Sequence, residues 1–391
     1  MEKQRVIYLD NASTTAISNE AYREMIEAYG TVYGNPSSAY KVGREAKELL
    51  EKARTKVAKA IGAEANEIYF TSGGSEANTW AITGIAKANR DKGNHIITSV
   101  IEHPSVLETC RNLEKEGFRV TYIPVDEFGI IKYSEIVKSI GPDTILISIM
   151  TANSEVGSVQ PIKAISELAK ANEVIFHTDA CVAIGAIDFK VKDIGIDALS
   201  MSAHKFGGPK GVGCLYVKKG VQIQKLINGE TQERNLRSGT ENVPAIAAMG
   251  KAIEEATSNI EENNKYLRSM RRYFLKQASA SIHNIALNGH TIQRLPNNIS
   301  LTFEGAESES VVLMLDREGI YASKGIFETG PSYVLQAMGK DLETAKSTVR
   351  FTFNKTLTKE DVDYLVEKVR RCVKKVRSIS AIRIYKNKVE L

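Results

Sequence analysis

The sequence predicts an α/β protein in which a mostly parallel sheet of seven strands is followed by a smaller α+β domain. Three observations support this prediction. Short runs rich in β-branched residues alternate with helix-period stretches from about residue 66 to residue 217. Several of these runs are apolar almost throughout, which is typical of strands covered on both faces. The length of 391 residues is sufficient for two domains, at roughly 100 to 200 residues each.

Strands and helices alternate along the first region. We expect strands at 67–71, 95–100, 119–124, 144–150, 173–178, 198–201 and 213–217. Helix-period segments lie between them, at 75–89, 105–116 and 162–171. This alternation favours parallel neighbouring strands joined by helical crossovers.

The second region begins after a helical stretch at about 243–276 and has fewer long apolar runs. Shorter segments follow at 297–303, 310–317 and 348–353, and a final helix is expected at about 359–376. We interpret this region as α+β. The last helix is basic but has apolar positions at helical spacing, so we favour a core-facing helix over a charged docking surface. The expected domains are a large one at 15–260 and a small one formed by 1–14 and 261–391.

Composition excludes several classes of protein. Hydrophobic residues make up 42% and charged residues 25% of the chain, as in ordinary globular proteins. The formal charge of +5 is not concentrated in any block, so neither a nucleic acid nor a membrane is expected as a partner. Only four apolar residues, 6–9, follow the polar start, which predicts no signal peptide and a cytoplasmic protein. The four cysteines form no CxxC pattern, so we expect neither disulfides nor a metal site.

Three chemically suggestive features follow predicted strands, where open α/β sheets place their ligands. Ser72-Gly73-Gly74-Ser75 opens a helix whose free N–H groups suit a phosphate, although a Gly-Gly pair here is often only a turn. Asp179 ends a strand and can hold a heteroaromatic nitrogen protonated, or it can be a cap.

Lys205 is the third feature and lies in a glycine-rich turn just after an apolar strand. Partial burial there would lower its pKa and make its amine a Schiff-base nucleophile, although a solvated turn lysine is the commoner case. Together, the phosphate cradle, the acid and the lysine match what pyridoxal phosphate needs for its phosphate, its ring nitrogen and its aldehyde.

The sequence resembles the cysteine desulfurases of the NifS/IscS type, within the class V aminotransferases, which are fold-type I pyridoxal-phosphate enzymes. The likeness spans nearly the whole chain and lies in motifs at 8–15, 34–38, 70–78, 102–103, 153–157, 177–180, 202–205, 237–240, 331–335 and 349–351.

The resemblance implies a role for each matching residue. Lys205 would bond to the cofactor aldehyde, Asp179 would pair with the pyridine nitrogen, and His103 would stack on the ring and assist proton transfer. The implied cofactor contacts are Gly74, Ser75, Asn153, Val182, Ser202, His204 and Thr240, with Thr240 reaching the neighbouring subunit of a homodimer. The implied contacts to the carboxylate of a small amino-acid substrate are Asn35, Asn153 and Arg350.

Three departures from the family pattern concern the fate of sulfur. Residues 321–330, where the family has a mobile loop with a persulfide-forming cysteine, contain no cysteine and look shorter. Val182 stands where the family usually has a glutamine that contacts the cofactor. The tail after Ile379 is short, without the extension that docks an iron-sulfur scaffold, so a sulfur-acceptor protein is doubtful.

Cys181 is the cysteine nearest to an expected site residue in sequence. We expect its side chain to point away from the cofactor, because successive residues at a strand end alternate in direction. A buried structural thiol is therefore the favoured interpretation for Cys181, and core packing for Cys110, Cys214 and Cys372.

The sequence therefore predicts a pyridoxal-phosphate enzyme that cleaves the C–S bond of L-cysteine, or of a related sulfur or selenium amino acid, without the usual loop persulfide. β-Elimination, transamination or epimerisation of another small amino acid is the alternative. A catalytically silent homologue that acts as a binding partner is the third hypothesis, and the presence of Lys205, Asp179, His103 and Arg350 argues against it.

Overall fold

The computed structural model describes residues 5–188, 190–327 and 330–379. Its central element is a seven-stranded sheet with spatial order β2-β8-β7-β6-β5-β3-β4. The strands of this sheet are β2 (Ile68–Thr71), β3 (His95–Ser99), β4 (Arg119–Ile123), β5 (Thr144–Ser148), β6 (Ile175–Asp179), β7 (Ala198–Ser202) and β8 (Gly213–Val217). All pairs are parallel except those of β8, which runs antiparallel to both β2 and β7. The predicted mostly parallel sheet of seven strands is therefore confirmed.

Helices cover this sheet and continue into the second region. They are α1 (Asn19–Thr31), α2 (Lys41–Ile61), α3 (Gly74–Ala88), α4 (Pro104–Lys115), α5 (Tyr133–Ser139), α6 (Ile162–Ala171), α7 (Val191–Ile194), α8 (Gln232–Asn235), α9 (Val243–Ser258), α10 (Ile260–Ser281), α11 (Ser308–Arg317), α12 (Tyr333–Ala337), α13 (Leu342–Lys346) and α14 (Lys359–Ile379). The predicted helical stretch at 243–276 is two helices, because Asn259 between them has φ −138° and ψ 43°, outside the helical region.

A smaller antiparallel sheet has the order β12-β15-β10-β9. The remaining strands of the chain are β1 (Ile7–Tyr8), β9 (Ile285–Asn288), β10 (Asn298–Phe303), β11 (Ile320–Tyr321), β12 (Ser323–Lys324), β13 (Ile326–Phe327), β14 (Gly330–Pro331) and β15 (Thr348–Thr352). Strand β1 pairs in parallel with β11, so the start of the described chain joins this second region.

Two large apolar clusters follow the two sheets. One contains Ile97, Ile147, Phe176, Leu199 and Met249, all fully buried between the large sheet and its helices. The other is built from the small sheet together with α10, α11 and α14, and includes Leu9, Phe274, Phe303, Phe351 and Val369. Each sheet therefore has its own hydrophobic core, as the alternation of apolar residues along its strands and helices requires.

The basic last helix, α14, lies with its apolar stripe in the second core, where Leu365, Val369 and Val376 are buried. This confirms the core-facing interpretation. In the described parts of the chain, no helix is long and apolar enough to cross a membrane, and no three His, Cys, Asp or Glu side chains are grouped so that they could hold a metal ion.

Candidate active site

A cavity of about 290 Å³ opens at the carboxyl ends of strands β6 and β7. Its lining contains most of the predicted cofactor residues. The lining residues are Gly74, Ser75, Asn78, His103, Met150, Ala152, Ser154, Asp179, Cys181, Val182, Ser202, His204 and Lys205. The structure thus brings together residues that lie up to 131 positions apart in the chain, because parallel strands end at the same edge of the sheet.

The first turn of α3 forms one end of this cavity. Gly74 and Ser75 line it, and the first N–H groups of a helix have no partner within the helix. A Cβ at Gly74 would lie 2.5 Å from Cys181 Sγ, so a larger residue here would displace the Cys181 side chain. Gly213 is required by packing, since its Cβ would lie 2.5 Å from the backbone carbonyl carbon of Gly73. Two glycines therefore let this turn lie close against the strand ends.

Asp179 is the last residue of β6 and is almost fully buried, with 7% of its surface exposed. Its Oδ1 accepts the backbone N–H of Cys181 at 2.9 Å, and its Oδ2 accepts Asn78 Nδ2 at 2.7 Å. These two donors fix the plane of the carboxylate. Asn78 belongs to the motif at 70–78, and the sequence indicates no role for it. Its contact with Asp179 depends on the tertiary structure, which places α3 beside β6.

Lys205 follows β7 in a short 3-10 turn (Ala203–Lys205). Its Nζ donates to the carbonyl oxygens of Ala12 at 2.6 Å and Ser13 at 2.8 Å. Burial lowers its pKa below the ordinary lysine value, and the positive charge of Arg350 acts in the same direction. The amine is therefore ordered, and it loses its proton more readily than a solvated lysine does.

His103 caps the N-terminus of α4, where its Nδ1 accepts the backbone N–H of Ser105 at 3.1 Å. A neutral imidazole in this arrangement has its proton on Nε2. Burial lowers the pKa of His103, which favours the neutral form. Asn78 Nδ2 also donates to Ser105 Oγ at 3.0 Å, so His103 and Asp179 are held by one connected set of hydrogen bonds.

His204 lines the cavity and its Nδ1 lies 3.1 Å from Thr14 Oγ1. Burial and the adjacent Lys205 lower its pKa to about 4, so the side chain is neutral at pH 7. Ser202, at the end of β7, has only 4% of its surface exposed and also lines the cavity. Both residues therefore line the same cavity as Gly74 and Ser75.

Arg350 is the middle residue of β15 in the small sheet. One of its terminal nitrogens, Nη2, donates to Asp10 Oδ1 at 2.6 Å and to Ser13 Oγ at 2.8 Å. The other, Nη1, lies 3.3 Å from the carbonyl oxygen of Ser154, a cavity residue. Its Nε is buried without a hydrogen-bond partner among the described residues. The guanidinium thus stands beside the cavity with one donor free.

The N-terminal turn at 10–15 also belongs to the site. It lies in the motif at 8–15, for which the sequence indicates no specific role. It supplies the two carbonyl oxygens for Lys205, the carboxylate of Asp10 for Arg350, and the Thr14 hydroxyl for His204. The run of small polar residues in this turn is a sequence signal for a functional turn. The residues that it contacts, Lys205, His204 and Arg350, lie far away in the chain, so the contacts could not be predicted from the sequence.

Besides Arg350, which stands beside the cavity, three predicted residues lie outside the cavity lining. Asn153 is buried, with Oδ1 accepting the N–H groups of Glu155 and Val156 and Nδ2 donating to the carbonyl oxygen of Ile101. Asn35 and Thr240 are exposed. Within one chain the structure therefore joins neither Asn35 nor Thr240 to the cavity, and it shows Asn153 shaping the turn that carries Ser154.

Cys181 corrects the expectation that its side chain points away from the cofactor. It lines the cavity together with Asp179. Cys181 is two residues after Asp179, and alternation along a strand places positions i and i+2 on the same face, so the rule does not support a side chain that points away. Burial raises the pKa of its thiol well above the ordinary cysteine value, and the carboxylate of Asp179 acts in the same direction. Val182 lines the cavity too and has no hydrogen-bond donor in its side chain.

The other three cysteines are buried away from this cavity. Cys110 and Cys214 are completely buried, and Cys372 is 3% exposed. Cys110 lies in a cluster with Ile82 and Leu113, and Cys372 lies in the core of the small sheet. The prediction that they are core residues is confirmed.

The described residues of the 321–330 segment form short paired strands. Ser323 pairs with Arg350, and Ile326–Phe327 pairs with Gly330–Pro331. Residues 328 and 329, like the tail after Ile379 and the first four residues, lie outside the described parts. Ser332 Oγ then donates to Glu155, and Tyr333 donates to the carbonyl oxygen of Glu102. The segment is thus attached at both ends, directly beside the arginine of the site.

The lining of the cavity fits pyridoxal 5'-phosphate. A helix start with free N–H groups suits the phosphate, a buried carboxylate suits a protonated ring nitrogen, and a lysine of lowered pKa suits the aldehyde. The 2.5 Å approach that a Cβ on Gly74 would make shows that this end of the cavity is kept clear by glycine.

Comparisons with known proteins agree with this fit. Residues 7–365 match the family model described as aminotransferase class-V. The chain is 49% identical to "Cysteine desulfurase IscS" of Methanosarcina thermophila over 97% of this chain and 95% of that protein. It is 47% identical to "Cysteine desulfurase IscS" of Clostridium botulinum strain Hall over 98% and 97% of the two chains.

A solved structure described as a NifS-like protein superposes with a TM-score of 0.91 at 38% identity, covering 95% of this chain and all of that one. The resemblance in sequence thus extends to the fold and to nearly the full length of these proteins. The chain belongs to the class-V aminotransferase family and is a pyridoxal-phosphate-dependent enzyme.

Proposed function

We propose that the protein is a cysteine desulfurase: it cleaves the C–S bond of L-cysteine, or of a related sulfur or selenium amino acid, and releases alanine. The observation that carries the proposal is the cavity that joins Lys205, Asp179 and His103 and lies beside Arg350. The two relatives whose names describe this activity match over nearly the whole chain.

Arg350 is the group suited to the substrate carboxylate. Its Nη1 reaches the carbonyl oxygen of Ser154, a cavity residue, at 3.3 Å. An amino-acid carboxylate in the cavity would accept from this side of the guanidinium, while Asp10 and Ser13 hold Nη2 in place. Asn35 and Asn153 remain proposed neighbours of this carboxylate.

Lys205 and His103 are the groups suited to proton transfer. When bound, pyridoxal phosphate takes up the electrons left behind when a Cα–H bond of the amino acid breaks. Lys205 Nζ, with its lowered pKa, is the base that removes the Cα proton. Asp179 would pair with the ring nitrogen of the cofactor, and His103 presents its Nε2–H as a donor.

The fate of the sulfur depends on an acceptor outside residues 321–330, because that segment has no cysteine. In the proposed reaction, cysteine and an external thiol give alanine and the persulfide of that thiol, so the sulfur atom moves without any other oxidant or reductant. The alternative, elimination, converts cysteine and water to pyruvate, ammonia and sulfide. Two observations support testing for elimination: residues 321–330 contain no cysteine, and the side chain of Val182 has no hydrogen-bond donor.

A cytoplasmic homodimer is part of the proposal. Thr240 is exposed and outside its own cavity, as expected of a residue that contacts the cofactor of a neighbouring subunit. Helix α1 exposes an apolar and aromatic stripe at Tyr22, Ile26 and Tyr29, each at least half exposed, and a stripe of this kind is typical of an interface. Sedimentation of the purified protein tests the dimer.

The test of function is product analysis with the cofactor-loaded protein. Incubation with L-cysteine and dithiothreitol should give alanine in amounts equal to the cysteine consumed, while pyruvate formation would establish elimination. Recovery of unreacted cysteine with no product would establish a silent homologue. Intact-mass analysis before addition of the thiol should show no stoichiometric persulfide on the protein, and its formation at normal efficiency would contradict the proposed external acceptor.

A further inference from the structure

A half-buried ion pair lies directly behind the proposed phosphate end of the cavity. Arg237 Nε donates to Glu76 Oε1 at 2.8 Å, and its Nη2 donates to Glu76 Oε2 at 3.1 Å. The side chains are only 19% and 12% exposed. Two parallel N–H···O bonds of this kind make the strongest and most directional pairing available to arginine.

An ionised Glu76 without a positively charged partner would be unfavourable at its position. It stands in the first turn of α3, next to Ser75 and two residues from Gly74, which line the cavity. An unpaired carboxylate there would repel a phosphate dianion. Burial favours a raised pKa for Glu76, but the hydrogen bonds from Arg237 and Ser72 outweigh it and keep its pKa below the ordinary value. The acid is therefore ionised and needs a counter-charge.

The same carboxylate shapes the cradle. Glu76 Oε2 accepts the backbone N–H of Ser72 at 2.8 Å, which closes the turn from the end of β2 to the start of α3. Arg237 binds both carboxylate oxygens of Glu76. It is therefore connected to the backbone of this turn through the Glu76 side chain.

The segment that carries Arg237 is itself firmly anchored. The short element α8 is a left-handed turn and not a regular α-helix, since Glu233, Arg234 and Asn235 have φ values of 45°, 56° and 63°. Such values cost energy in residues other than glycine. Glu233 compensates by accepting two 2.8 Å hydrogen bonds from the buried Arg54 and one from the backbone N–H of Phe70 in β2. The segment cannot shift without breaking these contacts, so Arg237 is held in place beside Glu76.

We propose that Arg237 is a positioning residue for the cofactor phosphate, acting through Glu76 to neutralise its charge and to fix the Ser72–Ser75 turn. Thr240 is three residues after Arg237 in the same segment. The Arg237–Glu76 pair therefore also connects the Ser72–Ser75 turn of one subunit to Thr240, the residue proposed to contact the cofactor of the neighbouring subunit. The inference rests on the proposed phosphate site at the start of α3 and not on the reaction that the enzyme catalyses.

The test is equilibrium binding of two cofactor forms, pyridoxal 5'-phosphate and pyridoxal, which lacks the phosphate. The apoprotein of the wild type and of R237Q, R237K and the double variant R237Q/E76Q is titrated with each compound. Fluorescence of Trp80, the single tryptophan of the chain, reports binding because this residue is fully buried in α3, the helix of the cradle. R119Q is the control at an exposed arginine–carboxylate pair, in which Arg119 Nη2 donates to both oxygens of Asp143.

We expect R237Q to weaken pyridoxal-phosphate binding about tenfold, as an uncompensated charge near a dianion requires, and to leave pyridoxal binding within about twofold. The double variant should recover most of the loss because the repelling acid is gone, and R237K should recover part of it. R119Q should bind like the wild type.

Three results would overturn the inference. Equal weakening of both compounds by R237Q would indicate general damage to the fold, and unchanged binding of both would show that Arg237 is irrelevant to the phosphate. A double variant as weak as R237Q would exclude charge neutralisation. If the wild type itself does not discriminate between the two compounds, the proposed phosphate site at α3 fails together with the inference, whatever reaction the enzyme catalyses.

Discussion

The two sides of the cavity are built differently. The cofactor side consists of the start of α3 and the ends of β6 and β7, which belong to one continuous sheet with strands that are almost fully buried. The other side consists of Arg350 in the small sheet, the turn at 10–15, and the short hairpin segment beside Arg350. The first is one rigid element of the fold, and the second is an assembly of three separate pieces.

This difference explains why the fold determines which cofactor is bound more strictly than it determines which reaction follows. A group held by the ends of neighbouring strands needs only the sheet to form, so the chemistry of the cofactor is a property of the fold. The fate of the sulfur depends on what the assembled side presents, and here that side has no cysteine within residues 321–330. A common scaffold can therefore support different outcomes through its second side.

The largest effect should come from removing the amine of the cofactor side. Lys205→Ala should lower turnover by about three orders of magnitude or more, because no other group supplies the nucleophile and base. Borohydride reduction followed by mass measurement should attach the cofactor covalently to the wild type and not to the variant. Covalent attachment in the variant would show that another lysine serves this role.

Asp179→Asn keeps the shape of the cofactor side and removes its charge. We expect turnover to fall about a hundredfold, because an amide cannot stabilise a protonated ring nitrogen as a carboxylate does. Asn78 has an unpartnered Oδ1 and can rotate its amide to accept from the new side chain, so thermal stability should change little. A loss of folding comparable to the loss of rate would mean that Asp179 is chiefly structural.

Arg350→Lys examines the assembled side. Lysine keeps the ion pair with Asp10 but loses the planar arrangement of donors, so kcat/KM for L-cysteine should fall by about one to two orders of magnitude, mainly through KM. Arg119→Lys, at an exposed pair distant from the cavity, should leave both constants unchanged. If the Arg350 variant loses kcat alone, carboxylate binding is not its role.

The pH profile gives a finer test of the groups between the two sides. The pKa of His103 is lowered by burial from its ordinary value of 6.5, so the neutral form persists to lower pH than in a solvated histidine. Turnover should therefore hold as pH falls through 6.5 and decline only below it, once the imidazole takes up a second proton. His103→Gln should remove this decline, and an acid limb centred above 6.5 would contradict the assignment.

The smallest effect is expected at Cys181. Its thiol packs against Gly74 at the phosphate end of the cavity, and burial raises its pKa well above the ordinary value, so it is a poor nucleophile at neutral pH. Cys181→Ser should keep the rate of sulfur release within about twofold. Loss of the sulfur transfer with retention of cofactor binding would make Cys181 the acceptor and the external thiol secondary.

Much of this site could be predicted from the sequence because its residues stand at strand ends, and strand ends are recognisable locally. Lys205, Asp179 and the Gly74–Ser75 start of α3 were identified in this way, and the structure places all of them in one cavity. The prediction for the side chain of Cys181 is wrong, because residues two apart along a strand point to the same face and Cys181 therefore follows Asp179 into the cavity. Asp10, Ser13 and Asn78 were missed as contacts, since their partners come from distant parts of the chain.

The sequence by itself determined the class of the sheet, the cofactor and the absence of a cysteine in residues 321–330, because each depends on periodicity, motif order or composition. Only the tertiary structure decided that Arg350 stands between Asp10 and Ser154 with a free Nε, that Arg237 neutralises Glu76 behind the cradle, and that Cys181 faces the cavity. These facts concern side chains brought together from distant positions, and the energy of such contacts depends on distance and burial that no local pattern contains.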